Sequence, residues 1–472
     1  MGPQFKNFDP NTVGISFGIF ASLDSVSLPL MSAQTFVGAS FLAPPRPEPS
    51  LRSVLPPVVK CEMGSAHFRA ADFQYFCAMH LPISPSPFLL DPNITYLNFG
   101  AFGACPRPIF EDYQQWQREL ELEPAQFINV NGPRYLEQSR QALAAYIRCD
   151  ADDVVYTTNP SYGMNIIARS FPLRPGDEIL STDLEYGACD RTWKYYCEKK
   201  GATFIRRPIR LPITSKEVLI TDFLAGITPR TKAVFLSHIT SSTALILPIR
   251  EICAAAKQRG LITIIDGAHT PGHLPLDLRD LPADIYAGAC HKWMMTPKGS
   301  SFLYVKKELQ PLFDPLIISW GFDSVEPSHA QFLDYHERQG TRDFSAFLTI
   351  PRSIEFMREH QWPDVAAACR RLVRDNAIRF CDLLGSEPIC PISEDFLGQM
   401  FAIPIQTQDP DQLKRCLFQT HRIEIAINRH GNRNLLRYSI NAFNGPDDLD
   451  RLFAALQETA DKTALLSLVH AH

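Results

Sequence analysis

Six short runs rich in β-branched and apolar residues recur between residues 154 and 305: VVYTTN (Val154 to Asn159), DEILST, AVFLSH, LITIID, DIYAGA and SFLYVK. Helical spacing lies between them, in PSYGMNIIARSF, in GACDRTWKYYCEKKG closed by Gly201, and in PIREICAAAKQRG with Pro248 near its start and Gly260 at its end. A strand that is apolar throughout is covered on both faces, and alternating helices are what cover it. The pattern therefore predicts an α/β fold with a largely parallel, doubly covered sheet. After about residue 325 the rhythm changes. TIPRSIEFMREH and Val365 to Leu384 read as helices, QMFAIPI and LLRYSI as short strands, and a last helix opens at Pro446. These predict a smaller α+β domain.

A chain of 472 residues, 45% hydrophobic, has the length for one large domain and a smaller one. Its 46 basic and 51 acidic residues leave a net charge of -5, which offers no electrostatic attraction to nucleic acid or an anionic membrane; a small molecule is the expected partner. No run approaches the roughly 18 apolar residues of a membrane span. The nearest, VGISFGIFASLDSVSLPL, is interrupted by Asp24 and serines and lacks the basic start of a secretory signal. The twelve cysteines include no C-x-x-C pair, so reduced, buried thiols in a cytoplasmic protein are expected. Residues 1–85 are rich in Ser and Pro and lack periodicity, and read as a disordered or non-native extension. The reading favours a start at Met79 over an organelle-targeting segment, which would carry more arginine.

In open α/β sheets ligands gather beyond the carboxyl ends of the strands, and four polar clusters stand at such ends. In TTNPSYG, Asn159 suits an N-cap and Pro160 the first helical position, leaving Ser161 and Tyr162 at a helix N-terminus that attracts an anion; plain capping is the alternative. In IIDGAHTPGH, a carboxylate ending a buried strand, Asp266, needs a donor or cation, which a protonated heterocyclic nitrogen would supply. Asp266, His269 and His273 could instead bind a metal, although Pro271 and Gly272 prevent a regular helix from aligning the histidines. In AGACHKWMMTPKG, Lys292 follows a strand, and a lysine in a partly apolar site has a lowered pKa and can form a Schiff base. In SHITSSTAL, Thr240, Ser241 and Ser242 offer hydroxyls, or merely form a turn. An anion cradle, a carboxylate for a ring nitrogen, donors for a phenolic oxygen and a lysine for an aldehyde are the four handles of pyridoxal 5'-phosphate.

The ordered motifs YLNFGAFGACP, TTNPSYG, LEYGACDRTW, SHITSSTALILP, DGAHTPG, CHKWMMTPKG, GTRD and LRYSINAFN resemble those of class V pyridoxal-phosphate enzymes, specifically the isopenicillin N epimerase-like branch, over about residues 90 to 460. The resemblance implies a fold-type I transferase. Its large domain, with a mainly parallel seven-stranded-type sheet, would span 111–325. A small domain would span 326–472, with an N-terminal segment at 86–110 joining it. It also implies Lys292 as the Schiff-base lysine, Asp266 on the pyridine nitrogen and His269 near the phenolic oxygen. Tyr186 would stack on the ring, Ser161 and Tyr162 would hold phosphate with His291 beside it, and Thr240 and Ser241 would take the hydroxyl-to-amide role. Asn98 and Arg437 would bind substrate, Arg437 clamping its carboxylate, and Thr341 would reach the phosphate of the neighbouring subunit in a homodimer with a shared site. Four positions depart from the branch's pattern: Pro160 lacks an N–H, Ala289 lacks a hydroxyl, and Phe99 and Ala101 stand where histidine and serine are usual.

Desulfuration through a cysteine nucleophile is disfavoured, because SVEPSHAQFLDYHERQ contains no cysteine, and Cys290, at a strand end, reads as packing. What remains is chemistry at the α-carbon of an amino acid: epimerisation, with transamination or C–S elimination as alternatives. A metal-dependent hydrolase and a catalytically silent member of the fold are the readings from other classes. Trp320, Phe322, His336 and Arg342 are candidates for the substrate pocket, with packing or a dimer contact as the alternative for each.

Overall fold

The computed structural model describes residue 83 and residues 86–468. The extension expected over 1–85 thus lies outside the described residues except for Ile83, whose N–H donates to Ala442 O at 2.8 Å. The described strands are β1 (Thr95–Tyr96), β2 (Val154–Thr157), β3 (Glu178–Thr182), β4 (Thr203–Arg207), β5 (Thr231–Ser237), β6 (Ile262–Gly267), β7 (Ile285–Ala289), β8 (Ser301–Val305), β9 (Met400–Ile405), β10 (Ile423–Glu424), β11 (Ala426–His430) and β12 (Arg433–Ser439). Seven of them form the central sheet in the order β2-β8-β7-β6-β5-β3-β4. Pairing is parallel from β4 through β7. Only β8 runs against its neighbours, β7 and β2.

Both faces of this sheet are buried, as the continuous apolar strands predict. Val155, Phe235, Ile264 and Leu303 pack on one side with Met164 and Ile167 of helix Pro160–Ser170 and Trp193 of helix Gly187–Lys199. Their sequence neighbours Val154, Tyr156, Leu236 and Ile265 point the other way, toward Leu143 and Ile147 of helix Gly132–Ile147 and Ile252 of helix Ile249–Lys257. Each such apolar side chain contributes about 1.5–3 kcal/mol by leaving water. A buried ion pair, Arg140 Nη1 to Glu337 Oε2 at 2.9 Å, ties helix Gly132–Ile147 to helix Gln331–Glu337.

Strands β9, β12 and β11 form an antiparallel sheet in the order β11-β12-β9. Helices Trp362–Leu384 and Pro446–Lys462 cover it, with the Phe380 ring 5.4 Å from Tyr438 and 5.8 Å from Phe453. The chain's early residues join this part: β1 pairs in parallel with β10, and Ser439 N donates to Leu97 O at 2.8 Å. Residue 98 is thereby fixed beside Arg437, which lies 339 positions later. Among the described residues no helix is long and apolar enough to cross a membrane.

Candidate active site

Parallel pairing brings the carboxyl ends of β3, β5, β6 and β7 to one edge of the sheet, and the chemistry-bearing loops follow those ends. Asp266 is the fifth residue of β6, opposite Ser237 on β5 and Ala287 on β7. Its Oδ1 accepts from Ala268 N at 3.0 Å, and its Oδ2 accepts from the Cys189 thiol at 3.5 Å. Burial raises its pKa above the ordinary carboxylate value, against the lowering effects of the Ala268 amide and Lys292. Lys292 leaves the end of β7 and places Nζ 3.1 Å from His269 Nε2. Burial lowers the lysine pKa to about 8, and Arg437 adds to that while Asp266 opposes it.

The Lys292 loop is clasped by two glycines. Gly103, at φ 68° and ψ 176°, lies where a Cβ would come within 2.4 Å of His291 O and 3.0 Å of Lys292 Cα. Gly272, at φ 84°, lies where a Cβ would come within 2.3 Å of Trp293 O. Only glycine admits both the backbone conformation and the approach.

Arg437 on β12 is 3% exposed. Its Nη1 donates to Ser241 O and its Nη2 to Asn98 Oδ1 at 3.3 Å, while Asn98 Nδ2 donates to Glu424 Oε1 at 2.9 Å. Its Nε is buried without an acceptor, a donor left available for an anion. Burial lowers the Arg437 pKa to about 10.

The remaining expected residues divide. At helix Pro160–Ser170, Asn159 Oδ1 accepts from Tyr162 N at 2.9 Å, so the cap itself takes one amide and leaves the Ser161 N–H and hydroxyl for an anion. The Tyr162 hydroxyl donates to Gln339 Oε1 at 3.1 Å. Thr240 is engaged elsewhere: its hydroxyl lies 2.6 Å from Thr243 Oγ1 and accepts from Leu245 N at 2.8 Å, so the turn describes it and the donor role does not. Ser241 is half-buried with its carbonyl on Arg437. Tyr186, at the start of helix Gly187–Lys199, is 47% exposed. His291 Nδ1 donates to Ser300 O at 2.7 Å, and burial lowers its pKa to about 4, so Nε2 presents a lone pair unless an anion draws a proton onto it. Thr341 is exposed.

His273 does not join the site. Its Nδ1 donates to His269 O at 3.0 Å and its Nε2 accepts from Gln399 N, which uses both nitrogens in backbone hydrogen bonds and leaves the hydrolase reading without its third ligand. Among the described residues no cluster of His, Cys, Asp and Glu could hold a metal ion. Cys290, just past the end of β7, is fully buried and burial raises its thiol pKa to about 12, consistent with the packing role expected of it. His336 is likewise buried, its ring 4.9 Å from Phe332, whereas Trp320 and Phe322 are exposed.

Three contributors lie within the quoted motifs but were given no role from the sequence. Cys189, on the helix that follows β3, reaches Asp266 Oδ2 at 3.5 Å. Glu185 accepts from Ser237 N and Oγ at 2.8 and 2.6 Å, and burial raises its pKa to about 7. Trp293 Nε1 donates to His269 Nδ1 at 3.3 Å. Glu185 precedes Tyr186 in the loop that follows β3, the one position where an acidic residue beside an expected ring-stacking residue gave a sequence signal.

The family model for class-V aminotransferases matches residues 129–452. The chain belongs to the class-V aminotransferase family. It is 36% identical to an isopenicillin N epimerase of Streptomyces clavuligerus, over 78% of this chain and 95% of that protein. It is 28% identical to a putative L-cysteine desulfhydrase of rice, over 57% of this chain and 58% of that protein. Among solved structures, a cysteine desulfurase from Thermococcus onnurineus superposes with a TM-score of 0.70 at 19% identity, covering 81% of this chain and 99% of that one. As a class-V aminotransferase-family member the chain is an enzyme, and its mostly parallel central sheet with helices on both faces is consistent with the fold-type I architecture.

Proposed function

We propose that this class-V enzyme uses pyridoxal 5'-phosphate to act at the α-carbon of an amino acid, in the manner of an isopenicillin N epimerase. The observation that carries the reading is Lys292 Nζ, with its lowered pKa, beside His269 and in the field of both Asp266 and Arg437. The donor set fits the cofactor. Among the described residues, Asp266 is a buried carboxylate with no cation bonded to it, and Arg437 Nε is a buried donor with no acceptor. When bound, the cofactor supplies a carbonyl that joins the substrate amine and a ring that draws off the electron pair released at Cα.

The chain's own residues do the rest. Lys292 would meet the carbonyl as a free amine and take the Cα proton from one face; epimerisation needs a proton delivered to the opposite face, whereas transamination needs Lys292 alone. Asp266 would hold the ring nitrogen protonated, a task suited to a carboxylate at the end of a buried strand. His269 would offer a donor to the phenolic oxygen, and Tyr186 would cover the ring. Ser161, Tyr162 and His291 would hold the phosphate, and Thr341 would serve the partner's site in a homodimer. Arg437 takes the substrate carboxylate, oriented by the Asn98–Glu424 pair behind it. A cytoplasmic location is part of the same proposal.

The C–S lyase reading is kept because of the similarity to the rice desulfhydrase. We expect the purified full chain with pyridoxal phosphate to show a visible band that borohydride removes and that Lys292→Ala lacks. A colourless protein carrying stoichiometric zinc would overturn the reading. With L-amino acids in heavy water, D-product deuterated at Cα identifies an epimerase, a keto acid an aminotransferase, and released sulfide a lyase.

A further inference from the structure

We propose that Trp293 is a positioning residue whose indole N–H fixes His269 as its Nε2–H tautomer, so that the imidazole donates to the Lys292 amine. An indole nitrogen donates and never accepts. At 3.3 Å from Trp293 Nε1, His269 Nδ1 is therefore the acceptor and carries no proton. The ring is neutral, because burial, followed by the nearby charges of Lys292 and Arg437 and the neighbouring His273, lowers its pKa well below the ordinary histidine value. A neutral imidazole with a bare Nδ1 has its hydrogen on Nε2, the atom 3.1 Å from Lys292 Nζ. In its unprotonated form Lys292 then receives that hydrogen on its lone pair, which an ammonium does not possess. A protonated Lys292 would confront His269 with two donors and one lone pair. One indole N–H thus disfavours the charged lysine two bonds away.

The surroundings leave the indole little freedom. Trp293 is fully buried, its ring 5.0 Å from Phe99 and 4.1 Å from the ring of His273. Its carbonyl passes over Gly272, where a Cβ would stand at 2.3 Å. His273 also donates to His269 O, holding donor and acceptor to one frame. The second half of the inference rests on the proposed cofactor: the same Nε2–H would be the donor that His269 offers to the phenolic oxygen.

The test is long-range ¹H–¹⁵N NMR of the full chain labelled at histidine nitrogens, both stripped of and loaded with pyridoxal phosphate, with His269→Gln to assign the signals. We expect a pyrrole-type Nε2 and a pyridine-type Nδ1 for His269 in both states. Trp293→Phe removes the donor. Because it also removes buried volume, benzothienylalanine at position 293 provides the same shape with sulfur in place of N–H. In both variants we expect Nδ1–H to become populated. The labelling rate of Lys292 by an amine reagent at neutral pH should fall roughly fivefold, the worth of one hydrogen bond. A pyridine-type Nε2 in the unsubstituted chain, or an unchanged tautomer in the benzothienylalanine variant, overturns the proposal. Failure to bind pyridoxal phosphate would overturn the cofactor reading alone, since the tautomer is read in the stripped chain as well.

Discussion

Gly103→Ala is the substitution that tests how the lysine loop is held. Gly103 ends the short helix Phe99–Phe102, donates its N–H to Phe99 O at 2.8 Å, and adopts φ 68° with ψ 176°, a region all but closed to side-chain-bearing residues. Forcing alanine there costs about 1–3 kcal/mol in conformation. The new methyl would also stand 2.4 Å from His291 O, 2.8 Å from Lys292 O and 3.0 Å from Lys292 Cα, all backbone atoms that cannot rotate aside. Overpacking of this kind adds about 1–3 kcal/mol, for a total of about 2–6 kcal/mol. Part of that is relieved if the Lys292 backbone shifts, and a shift takes Nζ away from its partner. Gly299→Ala is the control: φ is also positive, at 89°, but nothing lies within 4 Å of the added carbon. We expect urea unfolding to register a loss for both variants, larger for Gly103→Ala. Only Gly103→Ala should lose the borohydride-sensitive band, by tenfold or more at subsaturating cofactor. Equal stability losses with identical spectra would refute the backbone-contact account.

Other expectations follow from the site. Arg437→Ala should raise KM for an amino acid far more than it alters the resting spectrum, checked by steady-state kinetics; a bleached protein would contradict the carboxylate role. Cys189→Ala removes the thiol donor from Asp266 Oδ2 and should weaken cofactor binding severalfold without abolishing it, as read by equilibrium titration. In the cofactor-free chain, Lys292 titrates near 8, below its unfolded value of 10.5, so the unfolded state binds more protons between those values and stability should rise with pH there. Each proton contributes a slope of up to about 1.4 kcal/mol per pH unit, and Lys292→Met should flatten it in urea unfolding. Glu185 has the opposite sign: raised to about 7, it favours the folded state when protonated, so stability should fall as pH rises from 4.5 through 7 and Glu185→Gln should remove that slope.

The interior strands were legible because burial on both faces imposes an unbroken apolar run, and Val154–Thr157 and Ile285–Ala289 have every residue covered. The edge strand Thr203–Arg207 escaped notice: it is half-exposed and carries Arg206 and Arg207, so its pairing with β3 leaves little mark on composition. Strand Ala426–His430 is similarly polar and was missed for the same reason. Local chemistry also marked the cap at Asn159, since capping involves residues three apart.

The sequence by itself determined the alternation of strand and helix and the loops where polar residues cluster, because both follow from neighbours a few positions apart. It also carried Lys292, Asp266, His269 and Arg437, whose types state the chemistry they can perform. Only the tertiary structure decided which groups meet. Cys189 touches Asp266 across 77 positions, Asn98 meets Arg437 across 339, and the Thr240 hydroxyl turns inward to its own loop. The physical reason is range. A hydrogen bond between distant residues is set by sheet order and by glycines that let backbones approach, and neither leaves a pattern in the residues it joins.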